Sequence, residues 1–225
     1  MKASETKVPT NGVEVLFSQI RCGTPCPYAR HARNVYAAQW NEDVGWDENI
    51  ILIANLLGDV SALPEFRKIH GFICSLLVER CDEFPKVRAA FASFMDELSK
   101  CDPWQSYCMQ SDLMARGWQY QYAGIRHFVS VFAPCYSADH PRHSPVPRFM
   151  FVYFQPEWSF DICGINQGTV EEKQIVRSLF QRSGKQYNGE LIDGRIEALL
   201  YLLPLERDGA PVRWWETMLP EKVDG

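Results

Sequence analysis

The sequence predicts an α+β fold: a single domain with a mostly antiparallel central sheet and helices packed around it. Three observations carry this. Beyond Pro85, the residues Val87, Phe91, Phe94, Met95 and Leu98 recur at three- and four-residue spacing, the apolar stripe of an amphipathic helix. Residues 118–122 and 127–132 each alternate around Ala123-Gly124, which is a hairpin signature. Residues 149–154 are continuously apolar and aromatic, as expected of a central strand buried on both faces.

The remaining elements follow from local signals. Thr24 before Pro25 reads as an N-cap with proline at the first helical position. It predicts a helix through Tyr28, Ala32, Val35 and Tyr36 towards Trp40. A second helix is predicted over 47–57, ending before Gly58, while 69–77 fits either a strand or a helix, with strand preferred. Residues 169–181 open acidic and close basic, complementing a helix dipole. No internal repeat, low-complexity tract or linker divides the chain. One domain over 15–215 is expected, between a flexible tail of 1–14 and a C-terminal tail of 216–225.

Composition narrows the classes. A chain of 225 residues that is 46% hydrophobic and 23% charged is not disordered, and 14 Gly and 14 Pro without a period are not collagen. With 23 basic against 28 acidic residues the formal charge is −5, which argues against a nucleic-acid partner. The first eleven residues lack the apolar core of a secretory signal. The most apolar run, 50–57, is interrupted by Asn55 and falls short of the ~20 residues of a membrane span. A soluble, cytoplasmic protein with reduced thiols is expected. Its eight cysteines include no Cys-x-x-Cys, and their spacing supports neither a zinc nor a disulfide framework. Most are expected to be small buried hydrophobes.

Two segments could carry chemistry. The loop 133–147 holds four prolines, which lower the entropy cost of ordering it. It contains Cys135, His140 and His143, whose thiolate or imidazole lone pairs suit a metal, with Arg142 between the histidines. A solvated surface loop is the alternative. Near the amino end, Cys22, Cys26, Arg30, His31 and Arg33 surround the expected helix start, which would lower a thiol pKa and favour an anion. A Cys–His nucleophile pair there lacks a third orienting group, and a capped helix with a packed Cys26 fits equally. Asp102 and Trp104 follow the Pro85 helix, either as functional groups or as a packed helix end.

In order, these segments resemble the YqcI/YcgG family. The resemblance lies in Phe17-Ser-Gln-Ile through Thr24-Pro-Cys-Pro-Tyr-Ala29, Phe94-Met-Asp-Glu-Leu-Ser-Lys-Cys-Asp102-Pro-Trp, Trp118-Gln-Tyr-Gln-Tyr-Ala-Gly124, His140-Pro-Arg-His-Ser144 and Gln155-Pro-Glu-Trp-Ser-Phe-Asp161. It spans residues 15–205. The family turn usually has Phe where this chain has Thr24, a departure that bears on substrate rather than fold.

The resemblance implies a haem pocket and a haem-dependent N-oxygenase, an oxidoreductase of natural-product biosynthesis. Such a monooxygenase hydroxylates a guanidine or amine nitrogen of an arginine- or lysine-like amino acid. It would use haem b iron, dioxygen and an external electron donor or reductase, with no nucleic acid or membrane partner and a homodimer as the assembly to test. His140 is the first choice for the iron ligand, with Cys135 and Cys26 competing. Arg142 is the expected propionate partner, through a bidentate charged hydrogen bond. Trp118, Tyr120, Phe149, Phe151 and Tyr153 are the expected walls, with only one parity of each strand able to face the haem. His143 and Asp161 are the catalytic candidates. Asp161, Glu157 and Asp102 are the carboxylates available to a cationic substrate. A haem or gas sensor without turnover, and a thiol-redox protein using Cys22 and Cys26, are the competing classes.

Overall fold

The computed structural model describes residues 12–163, 170–185, 187 and 196–218. Its centre is a five-stranded mixed sheet in the order β1-β2-β5-β4-β3. The strands are β1 (Asn34–Tyr36), β2 (Gly71–Leu77), β3 (Tyr120–Tyr122), β4 (Ile125–Phe132) and β5 (Phe149–Pro156). Only β1 and β2 run parallel; the other three pairings are antiparallel. The helices are α1 (Gly12–Gly23), α2 (Trp46–Ser61), α3 (Phe84–Lys100), α4 (Trp158–Ile162) and α5 (Val170–Arg182).

Side-chain parity sorts the sheet into two faces. Phe72, Cys74 and Leu76 stand opposite Phe154, Val152 and Met150, and with Val129 and Val131 they enter the large core shared with α2 and α3. Ile73, Phe151, Phe132 and Tyr153 belong to the other face, where α1 lays down Val13, Phe17 and Ile20. Those three recur at four- and three-residue spacing, so one stripe of α1 meets the sheet. Phe17 lies 5.7 Å from the Phe151 ring and 5.8 Å from Phe132. The unbroken hydrophobicity of 149–154 follows from this two-sided burial.

The helix expected from Thr24 to Trp40 is absent. That stretch is a turn, a short 3₁₀ segment (Ala29–His31) and β1, and the helix lies before it and ends at Gly23. The reason is steric. Thr24 and Cys26 each precede a proline, which pushes both residues out of the helical region. Val35 and Tyr36, β-branched and aromatic, then pair with Phe72 and Ile73. The helix expected over 47–57 runs on through Gly58 to Ser61. The strand within 69–77, the Pro85 helix, the hairpin and the 149–154 strand all form. Helix α5 matches the expected 169–181 within one residue, with Thr169 itself outside the described residues.

The hairpin turn depends on two left-handed residues, Ala123 at φ 50° and Gly124 at φ 74°. That is the twist-compatible two-residue connection. The Asp102 carboxylate accepts hydrogen bonds from the N–H groups of Ala123, Trp104 and Ser106 at 2.8, 3.1 and 2.9 Å. The Trp104 ring covers Gly124 so closely that an added Cβ would sit 2.8 Å from it.

Two glycines should therefore respond oppositely. Gly124→Ala strains the turn and meets Trp104, and should cost about 1–2 kcal/mol. Gly58→Ala adds a methyl into open space within a helix and should stabilise by up to ~1 kcal/mol. Urea unfolding of the two variants checks both signs.

Candidate functional site

On the α1 face of the sheet lies a cavity of about 250 Å³. Its floor is Phe128, Ser130 and Phe132 of β4 with Tyr153 and Gln155 of β5, one parity of each strand. Its sides come from α1, the 24–34 turn, α4 and α5. Cys26 and Cys163 both line it, and Arg142 joins them from the proline-rich loop.

Arg142 is its most unusual wall. The residue is 6% exposed, and its Nε has no hydrogen-bond partner. Among the described residues no carboxylate lies within ion-pair distance of the guanidinium. It rests 5.1 Å from the Phe132 ring centre and 5.9 Å from Tyr187. Its backbone is clamped at both ends: the N–H donates to His140 Nδ1 at 3.0 Å, and the carbonyl accepts from Ala133 N–H at 3.2 Å. The loop therefore folds inward as packed structure rather than as a solvated surface.

The same clamp defines His140. Because Nδ1 accepts from Arg142, the neutral ring carries its proton on Nε2, which faces the Pro204 carbonyl at 3.2 Å. The ring stacks on Tyr136 at 4.1 Å, and burial, reinforced by the Arg142 charge, pushes its pKa down to about 4. Arranged this way, His140 offers no free lone pair, and it does not line the cavity. His143 donates its Nδ1–H to the Tyr136 carbonyl at 2.7 Å, and the residue does not line the cavity. The Cys135 thiol is pushed up to about 12 by burial, and the residue packs on the main core.

The remaining candidates separate by sheet face. Tyr153 lines the cavity, and Phe151 lies next to it under α1. Phe149 packs at the edge of that same cluster. Trp118 and Tyr120 belong to the opposite core: the Trp118 indole N–H reaches the Cys108 carbonyl at 3.0 Å, and Tyr120 packs 5.8 Å from Phe154. The five residues thus cannot wall one pocket. Asp161 and Glu157 are exposed and do not line the cavity. Asp102 holds the hairpin turn; burial raises its pKa, but the Ser106 hydroxyl and the backbone donors outweigh that and leave it lowered.

At the amino end, Cys26 lines the cavity, whereas Cys22, Arg30, His31 and Arg33 are exposed. The end of α1 that meets this turn is its C-terminus, whose partial charge is negative. The expected thiol activation by a helix N-terminus is therefore replaced by the opposite field.

Sequence reasoning missed His70, Ser159 and Phe128. Phe128 was legible from strand parity with Phe132. His70 was not, since only the pairing of β1 with β2 brings it to the wall, where its Nδ1 accepts the Arg33 N–H at 2.9 Å. Ser159 contributes a buried hydroxyl without a partner. Among the described residues no group of three His, Cys, Asp or Glu side chains is placed to hold a metal ion, and no helix is long and apolar enough to cross a membrane.

His127 is a second buried histidine, fully enclosed beside Phe154, with neither nitrogen hydrogen-bonded. Burial lowers its pKa to about 4. Between pH 6.5 and 4 the unfolded chain binds protons at His127 and His140 that the folded chain refuses. Stability therefore falls as the pH drops through that window, by on the order of 3 kcal/mol per histidine. Unfolding midpoints at pH 7, 5.5 and 4.5 should show the loss, and His127→Phe should remove about half of it.

Comparison with known protein families, with curated proteins and with solved structures gives no match to this chain.

Proposed function

We propose that the chain is a haem-dependent N-oxygenase of the YqcI/YcgG type, and that the cavity beneath α1 holds the haem b. The reaction would hydroxylate a guanidine or amine nitrogen of an amino acid, using dioxygen and electrons from an external donor. One observation carries the reading: an aromatic-walled cavity lined by Cys26 and by a buried Arg142 whose guanidinium has no carboxylate partner among the described residues.

The residues of the cavity fit such a group in kind. A haem requires apolar walls, a cation for a propionate and one axial lone pair. Phe128, Phe132 and Tyr153 supply walls, and Arg142 supplies the cation through its planar fork. Of the proposed ligands His140, Cys135 and Cys26, only Cys26 stands on the cavity wall, so it takes the ligand role here. Bound haem would supply the oxidising chemistry, and a thiolate ligand raises electron density at the iron. The protein's own part is to exclude water with the aromatic walls, to hold the anionic edge at Arg142 and to orient the substrate nitrogen.

A haem-binding or gas-sensing role without turnover is the second reading. It is favoured by one observation: no carboxylate lines the cavity among the described residues, so a guanidinium or ammonium substrate has no counter-charge there.

Absorption spectra of protein expressed with haem supply, before and after reduction under carbon monoxide, test both readings. The expected result is a Soret band that is lost or shifted in Cys26→Ser and retained in His140→Ala. Loss in His140→Ala alone, with the fold intact by circular dichroism, would transfer the ligand role to His140. A protein without any Soret band would sink the haem reading. Mass spectrometry of an amine panel incubated with a reductant then separates oxygenase from sensor by the gain of one oxygen atom.

A further inference from the structure

Among the described residues, the arginine and carboxylate side chains that line the cavity are all cationic. Arg142 and Arg21 face it, and no Asp or Glu does among the described residues. The chain around it repeats the asymmetry. Between Glu14 and Glu42 there is no acidic residue, whereas Arg21, Arg30 and Arg33 all fall in that stretch of a protein whose formal charge is −5. Ala29, Ala32 and Asn34 of the same stretch form one side of the cavity. Arg67 and Lys68, both exposed, precede the cavity residue His70. These cations favour an anion at the cavity, opposed only in part by the exposed Glu157 and Asp161 that flank Ser159 and Phe160.

The inner end is prepared as well. Among the described residues the guanidinium is removed from water without a counter-ion, a cost only partly offset by the faces of Phe132 and Tyr187. Its backbone is held at both ends, which fixes the point from which the side chain enters the cavity. Ser159 adds a buried hydroxyl with no partner on the same cavity.

We infer that this cavity binds a carboxylate carried on an apolar or aromatic body, with the carboxylate on Arg142 and the body against Phe128 and Phe132, and that it rejects guanidinium and ammonium groups of the same size. The carboxylate has two sources, a haem propionate or a free small-molecule acid. The inference deepens the haem reading where the source is a propionate, but its binding step stands on the cavity alone.

The test is calorimetric titration of the purified protein with three probes of equal length: 3-phenylpropionate, 3-phenylpropanamide and 3-phenylpropylamine. The carboxylate should bind at least tenfold tighter than the amide, and the amine should not bind measurably. Arg142→Gln should erase the preference, and Arg142→Lys, which keeps the charge, should retain part of it. Ligand-free Arg142→Gln should unfold at the same or higher urea concentration than the parent, because a buried unpaired charge is removed. Equal binding of the three probes, or a preference that survives in a folded Arg142→Gln, would overturn the inference. Haem and haem dimethyl ester distinguish the sources. Tighter binding of haem than of its ester, lost in Arg142→Gln, assigns the propionate. Probe discrimination without any haem uptake assigns the free acid and defeats the haem reading alone.

Discussion

The structure depends on β5 having both edges and both faces occupied. Residues 149–154 pair with β2, and residues 151–156 pair with β4. Phe154, Val152 and Met150 close one core, while Phe151 and Tyr153 underlie α1. Because successive side chains alternate, each residue must serve one half of the molecule or the other. The two halves then differ in kind. The α2/α3 side is built around large apolar residues such as Phe91 and Phe94, and the α1 side leaves a cavity where small or polar side chains such as Ser130 and Gln155 replace apolar bulk on the floor.

The proline-rich loop links that sheet to the cavity. Its backbone bridges back at Ala133 and His143, and its side chains Tyr136 and His140 stack and bond to the carbonyls of Leu203 and Pro204. The two histidines that draw attention in the sequence thus act as internal struts. Both His140 nitrogens and the His143 Nδ1 are committed to backbone groups, which is what a buried imidazole nitrogen needs to avoid the cost of desolvation. What the struts achieve is the placement of the residue between them. Arg142 is turned inward by bonds made on either side of it, and the guanidinium is the group left over.

Several expectations drawn from spacing were chemically sound yet misplaced in space. Cys26 and Arg142 were singled out from segments far apart in sequence and do meet at one cavity. Tyr120 and Phe151 were grouped because both are aromatic strand residues, and they lie on opposite faces. Asp102, considered as a partner for a cationic substrate, has its oxygens occupied by three backbone donors of the hairpin turn. Composition identifies which residue types can act. It does not reveal which of them have already been satisfied by the backbone.

The sequence by itself determined the elements whose signal is local: the amphipathic stripe of α3, the Ala123-Gly124 hairpin, the doubly buried run of β5 and hence the α+β class. It misjudged 24–40, where Pro25 looks like a helix start while Pro27 and the pairing of β1 with β2 forbid one. Only the tertiary structure decided which face each strand residue joins, which thiol reaches the cavity and that His70 belongs to its wall. These depend on contacts between residues tens of positions apart, such as Arg33 with His70 and His140 with Pro204. Local propensity carries no information about such pairs, because the partner that satisfies or orphans a polar group is supplied by the fold.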